Sequence, residues 1–265
     1  LLVGALYNIV DQIFIGWGVG YLGNDATNVV FPITIVALVL SMMIGNGGAA
    51  FLSLKLGEGE RNAAQKGVGN AVALAVCVSL VLTAVFLLFI DPILTLFGAT
   101  DVLRPFALEY GFVIGIGLPF MMISASINSM IRADGIPKYA MFSMVIGAIL
   151  NVILDPVFIF VFDMGVEGAA LATILAQACS AVWVLRFLTG KKAILRLRLS
   201  SMKLSLHRVK RILSLGLAGF FVNLTNSLVQ VVCNSTLQTW GGDLYVGAMT
   251  IVNSIREVVC MPLTG

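Results

Sequence analysis

The sequence predicts an all-α polytopic membrane protein, and three observations support that class. Of the 265 residues, 59% are hydrophobic and 11% are charged, and the mean hydropathy is +1.03. Soluble domains of this length do not have such a balance. The apolar residues form runs long enough to cross a bilayer as helices. Basic residues concentrate in alternate turns between those runs, which is typical of membrane topology.

Eight apolar runs are predicted to be membrane-spanning helices, each of about 20 residues or more. The sequence begins at Leu1 rather than Met, inside the first run, and it stops inside the last. We therefore expect a fragment truncated at both ends. The predicted spans cover residues 1–20, 28–54, 68–90, 106–131, 139–162, 168–189, 212–240 and 245–265.

The distribution of basic residues predicts the orientation of these spans. Lys and Arg cluster after spans two, four and six, whereas the other turns hold a single basic residue, Arg104, among several acidic ones. By the positive-inside rule, the turns after the even-numbered spans are cytoplasmic. The longest of them is strongly basic and could follow the anionic inner leaflet as an amphipathic helix. Its alternation of Leu195, Arg196 and Leu197 fits a strand equally well.

The region after this turn resembles the start of the chain. A shift of 218 residues places Asn8 on Asn226 and Asp25 on Asp243, without changing the predicted topology. Repeated halves are a signature of secondary transporters. The sequence thus predicts a six-helix N-terminal lobe and the first two helices of a repeated C-terminal lobe, in a twelve-helix transporter. The expected domains are the N-terminal lobe at 1–190, a basic cytoplasmic linker at 191–210, and the partial C-terminal lobe at 211–265.

Polar side chains within the spans predict a site in the outer half of the first lobe. Asn151 and Asp155 are four residues apart and so share one face of span five. A carboxylate at membrane depth costs about 2.5 to 3.5 kcal/mol on insertion scales, and it usually faces a partner or a polar cavity. Counting 1.5 Å per residue puts four polar side chains roughly 8 to 16 Å below the outer surface. They are Asp11, Asn151, Asp155 and Thr173.

The donor atoms of these residues indicate what the site would hold. Carboxylate, amide and hydroxyl oxygens suit a hard cation such as Na+, or a proton, and do not suit zinc. One aspartate could then carry a proton or be discharged by a bound ion. The alternative is structural, in which Asn151 and Asp155 make a helix-packing hydrogen bond beside a kink at Pro156.

Other polar residues within the spans could line a substrate cavity, although such residues more often bridge helices. The candidates are Asn128, Asn226, Gln230 and Glu257. No HExxH, GxSxG or Walker pattern is present, so we expect no enzymatic activity and no catalytic residues. We also expect no cofactor other than Na+ or H+ as a coupling ion, and no nucleic-acid partner.

Three stretches of the sequence resemble the MATE family, the multidrug and toxic compound extrusion antiporters, and especially its bacterial multidrug-export branch. They are YNIVDQIFIG in the first span, RADGIPKYAM after span four, and GAILNVILDP in span five. Residue by residue, Asp11, Asn151, Asp155 and Thr173 match the family's cation or proton site in the N-terminal lobe.

The resemblance implies a V-shaped protein of twelve helices whose two lobes rock around a central cavity. It also implies antiport, in which organic, often cationic, compounds leave the cell in exchange for Na+ or H+. The expected location is the bacterial plasma membrane, in which the protein would be a multi-pass monomer with small-molecule substrates. On this expectation, the last four helices of such a protein would lie beyond the sequence given.

Two other functions remain compatible with the sequence. A lipid-linked glycan or polysaccharide flippase of related architecture should line its cavity with cationic side chains, yet the only basic residue away from the ends of the predicted spans is Arg256, since Arg186 lies near the end of span six. A non-transporting membrane receptor or scaffold would need neither carboxylates at membrane depth nor a repeated half. Both features therefore favour the exporter.

Overall fold

The computed structural model describes residues 13–190, 197, 199–222, 225, 229 and 236. These residues are helical, with short turns between the helices, and they include no strand. A π turn, Val157–Val161, follows the sixth helix, and a 3-10 turn, Leu199–Met202, precedes the eighth. The helices are α1 (13–18), α2 (Tyr21–Gly57), α3 (Arg61–Leu88), α4 (Ile90–Leu96), α5 (Arg104–Ala133), α6 (Pro137–Pro156), α7 (Gly165–Thr189) and α8 (206–222).

Five of the described helices are long and apolar enough to cross a membrane. They are α2, α3, α5, α6 with its π turn, and α7, and they match predicted spans two to six, which confirms the all-α membrane class. Span two starts earlier than predicted, at Tyr21 rather than 28. The polar residues there remain helical, since Thr27 Oγ1 donates to the Asn24 carbonyl oxygen within the helix at 2.8 Å. Most of spans one, seven and eight lies outside the described residues.

Glycines in the left-handed region reverse the chain at the turns after α2 and α5. Gly59 has φ +78° between α2 and α3, and Gly135 has φ +87° between α5 and α6. Glycine adopts this conformation without the strain that a Cβ would cause. Pro137 then opens α6, where its missing N–H costs no helical hydrogen bond. These turns allow consecutive helices to run antiparallel.

Helix α5 lies at the centre of the described lobe and packs against α2, α3 and α7. Its contact with α2 is close because Gly45 has no side chain: a Cβ there would lie 2.8 Å from the Ser126 Cα. Ser126 Oγ also donates to the Ser41 carbonyl oxygen at 2.9 Å. Small residues and hydroxyl-to-carbonyl bonds of this kind are the usual means of packing helices in lipid.

The short helix α4 is fastened to α5 outside the membrane-spanning segments. Arg104 Nε donates to Asp91 Oδ1 at 2.9 Å, and Arg104 Nη2 donates to Asp91 Oδ2. Both side chains are nearly half exposed. Hydrogen bonding to the guanidinium lowers the pKa of Asp91 below its ordinary value, because the ion pair favours the charged carboxylate.

The chain divides into two compact units. One contains residues 2–217, and the other contains residues 218–265 together with residue 1. All five membrane-length helices belong to the first unit. In the second unit, the structure describes residues 218–222, 225, 229 and 236, which are helical. The predicted division into lobe, linker and second lobe remains a prediction.

Candidate functional site

Asn151 and Asp155 occupy one buried face of α6 and approach Thr173 of α7. Asp155 is 0% exposed and Asn151 is 1% exposed. Asn151 Nδ2 donates to Asp155 Oδ1 at 3.1 Å and to Thr173 Oγ1 at 3.3 Å. A single amide thus bridges a carboxylate on its own helix and a hydroxyl on the next helix. The structure therefore brings together three of the four residues predicted for the site.

The second polar atom of this amide is the unusual feature of the cluster. Asn151 Oδ1 is buried and accepts no hydrogen bond from any residue that the structure describes. Leaving a buried acceptor unpaired costs about 1 to 3 kcal/mol, so such an atom calls for an explanation, for which a bound ion is one candidate. The Asn151 nitrogen faces the Asp155 carboxylate and the Thr173 hydroxyl, and the oxygen atoms of these three residues are of the types that hard cations prefer. Among all the residues that the structure describes, no three His, Cys, Asp or Glu side chains are grouped closely enough to hold a metal ion.

Two glycine contacts hold α7 close to α6 on either side of Thr173. A Cβ at Gly168 would lie 3.0 Å from the Phe158 carbonyl oxygen in the π turn, and a Cβ at Gly147 would lie 2.5 Å from Ser180 Oγ. Because neither glycine has a side chain, the helices approach each other closely at both points. Thr173 lies between these contacts in sequence, which explains how its hydroxyl reaches Asn151.

The π turn begins directly after Pro156, which follows Asp155. Turns of this kind are rare in proteins, and those that do occur are often found at functional sites. Here Ile159 of the turn packs in a small buried cluster with Ile15 of α1 and Ala169 of α7. A Cβ at Gly18 would overlap the Ile159 side chain, so α1 and the π turn are in close contact.

Asp11, the fourth predicted residue, lies outside the described residues. Its proximity to Asp155 therefore stays a prediction. The described residues that follow it, 13–18, are those that pack on the π turn.

Asn128, predicted as a cavity residue, bridges helices in the structure. It is 7% exposed, and its Oδ1 accepts a hydrogen bond from Ser143 Oγ of α6 at 2.9 Å. Ser180 Oγ of α7 donates to the Ser143 carbonyl oxygen at 2.9 Å. Ser143 and Ser180 were not among the residues predicted from the sequence. A signal for Ser143 was present, because it falls on the four-residue stripe of α6 that also contains Gly147 and Asn151.

The other predicted cavity residues lie outside the described part of the chain. They are Asn226, Gln230 and Glu257. Their contribution to substrate binding therefore stays a prediction.

The sequence profile of the MatE family matches residues 1–157, more than half of the chain. The chain belongs to the MatE family. This confirms the resemblance predicted from the sequence, and with it the expectation that the protein does not come from an enzyme family. The profile covers both Asn151 and Asp155, whereas Thr173 follows the matched region.

Similar proteins of known name or structure include multidrug exporters. This MatE chain is 24% identical over 240 residues to the multidrug export protein MepA of Staphylococcus aureus, an alignment that covers 91% of the chain and 53% of MepA. It is 27% identical to a MATE protein crystallised in a bent conformation, with a TM-score of 0.88 over 99% of the chain and 58% of that protein.

A third similar protein is a multidrug resistance MATE transporter in an outward-facing conformation, at 27% identity and a TM-score of 0.85. The alignment covers 99% of this chain and 58% of that transporter. The MatE chain thus spans little more than half the length of the curated and solved relatives that it matches.

Proposed function

We propose that the complete protein exports organic, often cationic, compounds across the plasma membrane in exchange for Na+ or H+. The observation that carries this proposal is the Asn151 amide, which bridges Asp155 and Thr173 and keeps one buried oxygen without a partner among the described residues. Binding of an ion would offset the cost of that unpaired oxygen.

The coupling ion would bind among oxygen atoms of Asn151, Asp155, Thr173 and Asp11. For H+, the Asp155 carboxylate would hold the proton; for Na+, the amide and hydroxyl oxygens would complete the coordination. Either ion would neutralise a carboxylate that is costly at membrane depth. No cofactor beyond this ion is needed.

The coupling to transport follows from linkage. If the ion binds one conformation of the transporter more tightly than another, ion entry shifts the population towards that conformation, and the substrate affinity changes accordingly. The packing of α1 on the π turn after Asp155 gives the site a route to a neighbouring helix. A change in the charge at Asp155 would alter the π turn first, and through it the packing of α1.

Family membership supports the exporter over the two other functions compatible with the sequence. Similar proteins include the multidrug export protein MepA and a multidrug resistance MATE transporter, and no observation in the described residues favours a glycan flippase or a receptor. We further propose that the protein is a monomer with lipid and small organic molecules as partners. In this proposal the basic segment 191–210 faces the cytoplasm, as the positive-inside rule predicts.

The test is accumulation of a fluorescent organic cation in exporter-deficient cells that carry the complete gene. We expect wild-type cells to accumulate less dye than cells with an empty vector, and we expect Asp155→Asn to abolish the difference at equal membrane abundance. The matched control is Asp163→Asn, the same substitution at an exposed carboxylate beyond the π turn. Asparagine tolerates the positive φ of that position, so export by the control should match wild type.

Two outcomes would contradict the proposal. Full export by Asp155→Asn would remove the coupling role of this carboxylate. Equal dye accumulation in wild-type and empty-vector cells would withdraw organic-cation export itself, and uptake of lipid-linked substrates would then be measured.

A further inference from the structure

A buried asparagine in α3 holds a segment of chain more than a hundred residues away. Asn70 is 0% exposed. Its Nδ2 donates to the carbonyl oxygens of Lys66 at 2.8 Å and Ser201 at 3.2 Å, and its Oδ1 accepts from the Ser205 backbone N–H at 2.7 Å. Both polar atoms of the amide are satisfied by backbone groups, so the side chain fixes the path of residues 201–205 against α3.

The three hydrogen bonds of Asn70 form what we call the clamp. Residues on either side of the clamped segment contribute to the hydrophobic core of the first lobe. Ile212 is 0% exposed and belongs to the same core cluster as Ile44 and Phe51 of α2. Leu197 and Met202 pack against that cluster from the segment before α8. Buried apolar area of this kind opposes detachment from the lobe, because each side chain would have to be exposed to water or lipid headgroups.

A reciprocal pair of glycines then brings the backbone of α8 onto α2. A Cβ at Gly47 would overlap the Ile212 carbonyl oxygen, and a Cβ at Gly216 would overlap the Met43 carbonyl oxygen. The paired residues are four apart on each helix, so one face of α8 meets one face of α2 over a full turn. Such contact is typical of helices held together by small residues.

The boundary between the two compact units falls immediately after this contact, between Leu217 and Ala218. The clamp, the core side chains and the glycine pair all lie before the boundary, and they fasten the segment to α2 and α3 by three independent means.

We propose that Asn70 positions the pivot of the transport cycle. Residues 199–217 move together with the first lobe, and the hinge about which the two halves reorient lies after Leu217. Residues 199–217 are therefore not a free tether, and α8 does not belong to the second lobe along its whole length. This inference rests on the proposed function, since it supposes that two halves reorient during transport.

The test uses spin-label distances in the complete transporter, in a background from which all native cysteines are removed, including the four of this sequence. One label is placed at Lys138→Cys, an exposed position at the start of α6. Its partner is either Lys203→Cys, in the clamped segment, or Thr236→Cys, beyond the boundary; both positions are exposed. Distances are compared in the apo protein, with sodium chloride, at acidic pH, and with ethidium.

The expected result is a narrow distance distribution for the pair 138–203 that does not shift under any condition, while the distance 138–236 shifts with ion or ethidium. A shift of the pair 138–203 in parallel with the pair 138–236 would overturn the proposal, because the segment would then move with the second half. A broad distance distribution for the pair 138–203 in the labelled protein that keeps Asn70 would also overturn the proposal.

The contribution of Asn70 is tested with Asn70→Leu, which removes all three hydrogen bonds, and with Asn62→Leu as the matched control on an exposed position of the same helix. We expect loss of the narrow 138–203 distribution in Asn70→Leu only. An unchanged distribution in that variant would overturn the role of Asn70. The wild-type distances decide the location of the pivot even if Asn70→Leu does not fold.

The same data separate this inference from the proposed export function. Suppose that the 138–203 distribution is narrow and depends on Asn70, but the protein exports no dye and the 138–236 distance is constant. That result would retain the clamp, and it would remove the pivot and the export function together. Dye export with a mobile 138–203 pair would retain the export function and remove the pivot.

Discussion

The contact between Gly147 and Ser180 allows the substitution Gly147→Ala to be worked through quantitatively. The added Cβ would lie 2.5 Å from Ser180 Oγ, whereas an ordinary contact begins at 3.4 Å, so the two groups are 3.4 − 2.5 = 0.9 Å too close. Either α6 and α7 separate, or the hydroxyl rotates and loses its hydrogen bond to the Ser143 carbonyl oxygen.

The net effect of Gly147→Ala combines two opposing terms. Overpacking in a well-packed interior costs about 1 to 3 kcal/mol, and alanine is favoured over glycine within a helix by about 0.5 to 1 kcal/mol. The difference of these ranges runs from about 0 to 2.5 kcal/mol, and from their midpoints we expect Gly147→Ala to destabilise the protein by about 1 kcal/mol. Separation of the helices would also lengthen the bond between Asn151 and Thr173, already 3.3 Å, so ion-dependent export should fall.

The assay is thermal unfolding in detergent, together with dye export, for a double-mutant set. Ser180→Ala alone should cost about 1 kcal/mol through its lost hydrogen bond. In the double variant the close contact is relieved, so adding Gly147→Ala to Ser180→Ala should not destabilise further. The control is Gly111→Ala, whose Cβ would lie 3.3 Å from its nearest neighbour, Val30 Cγ2. If Gly147→Ala alone is as stable as wild type or more stable, the reasoning is refuted.

Two further predictions concern single hydroxyl and carboxylate groups. Thr173→Val keeps the shape of the side chain but removes the oxygen that accepts from the site amide, so export should lose ion dependence while Thr173→Ser retains it; full ion dependence in the valine variant would exclude Thr173 as a ligand. The pKa of Asp91 is lowered by its hydrogen bonds with Arg104, so the pair stabilises the fold above the unfolded pKa of the carboxyl, and this contribution is lost as pH falls through the folded pKa. Asp91→Asn should therefore flatten the dependence of unfolding temperature on acidic pH, and an unchanged profile would contradict a role for this pair in stability.

Much of the first lobe could be predicted from sequence because lipid imposes simple rules. Apolar runs of sufficient length must be helical, since every backbone group has to be satisfied within the segment. Four-residue spacing placed Asn151 and Asp155 on one face, and depth counting brought Thr173 to the same level. The structure shows these three residues in contact.

The remaining features depend on geometry that local patterns do not contain. Pro156 indicated an irregularity in α6, but a proline does not specify that a π turn will follow. Asn70 appears in the sequence as a single polar residue in an apolar run, and its partners Ser201 and Ser205 are more than 130 positions away. Contacts at that separation follow from tertiary packing, as does the helix bridging by Asn128.

The π turn Val157–Val161 allows the end of α6 to change its helical winding. A π turn holds one more residue than an α turn, and each residue of an α-helix corresponds to about 100° of rotation about the axis. Conversion of this turn to α winding would rotate its last residues, Phe160 and Val161, about the helix axis, while α6 before Pro156 kept its register. Because the turn begins two residues beyond Asp155, such a change of winding would start beside the carboxylate and would reorient two exposed side chains without moving the helix sideways.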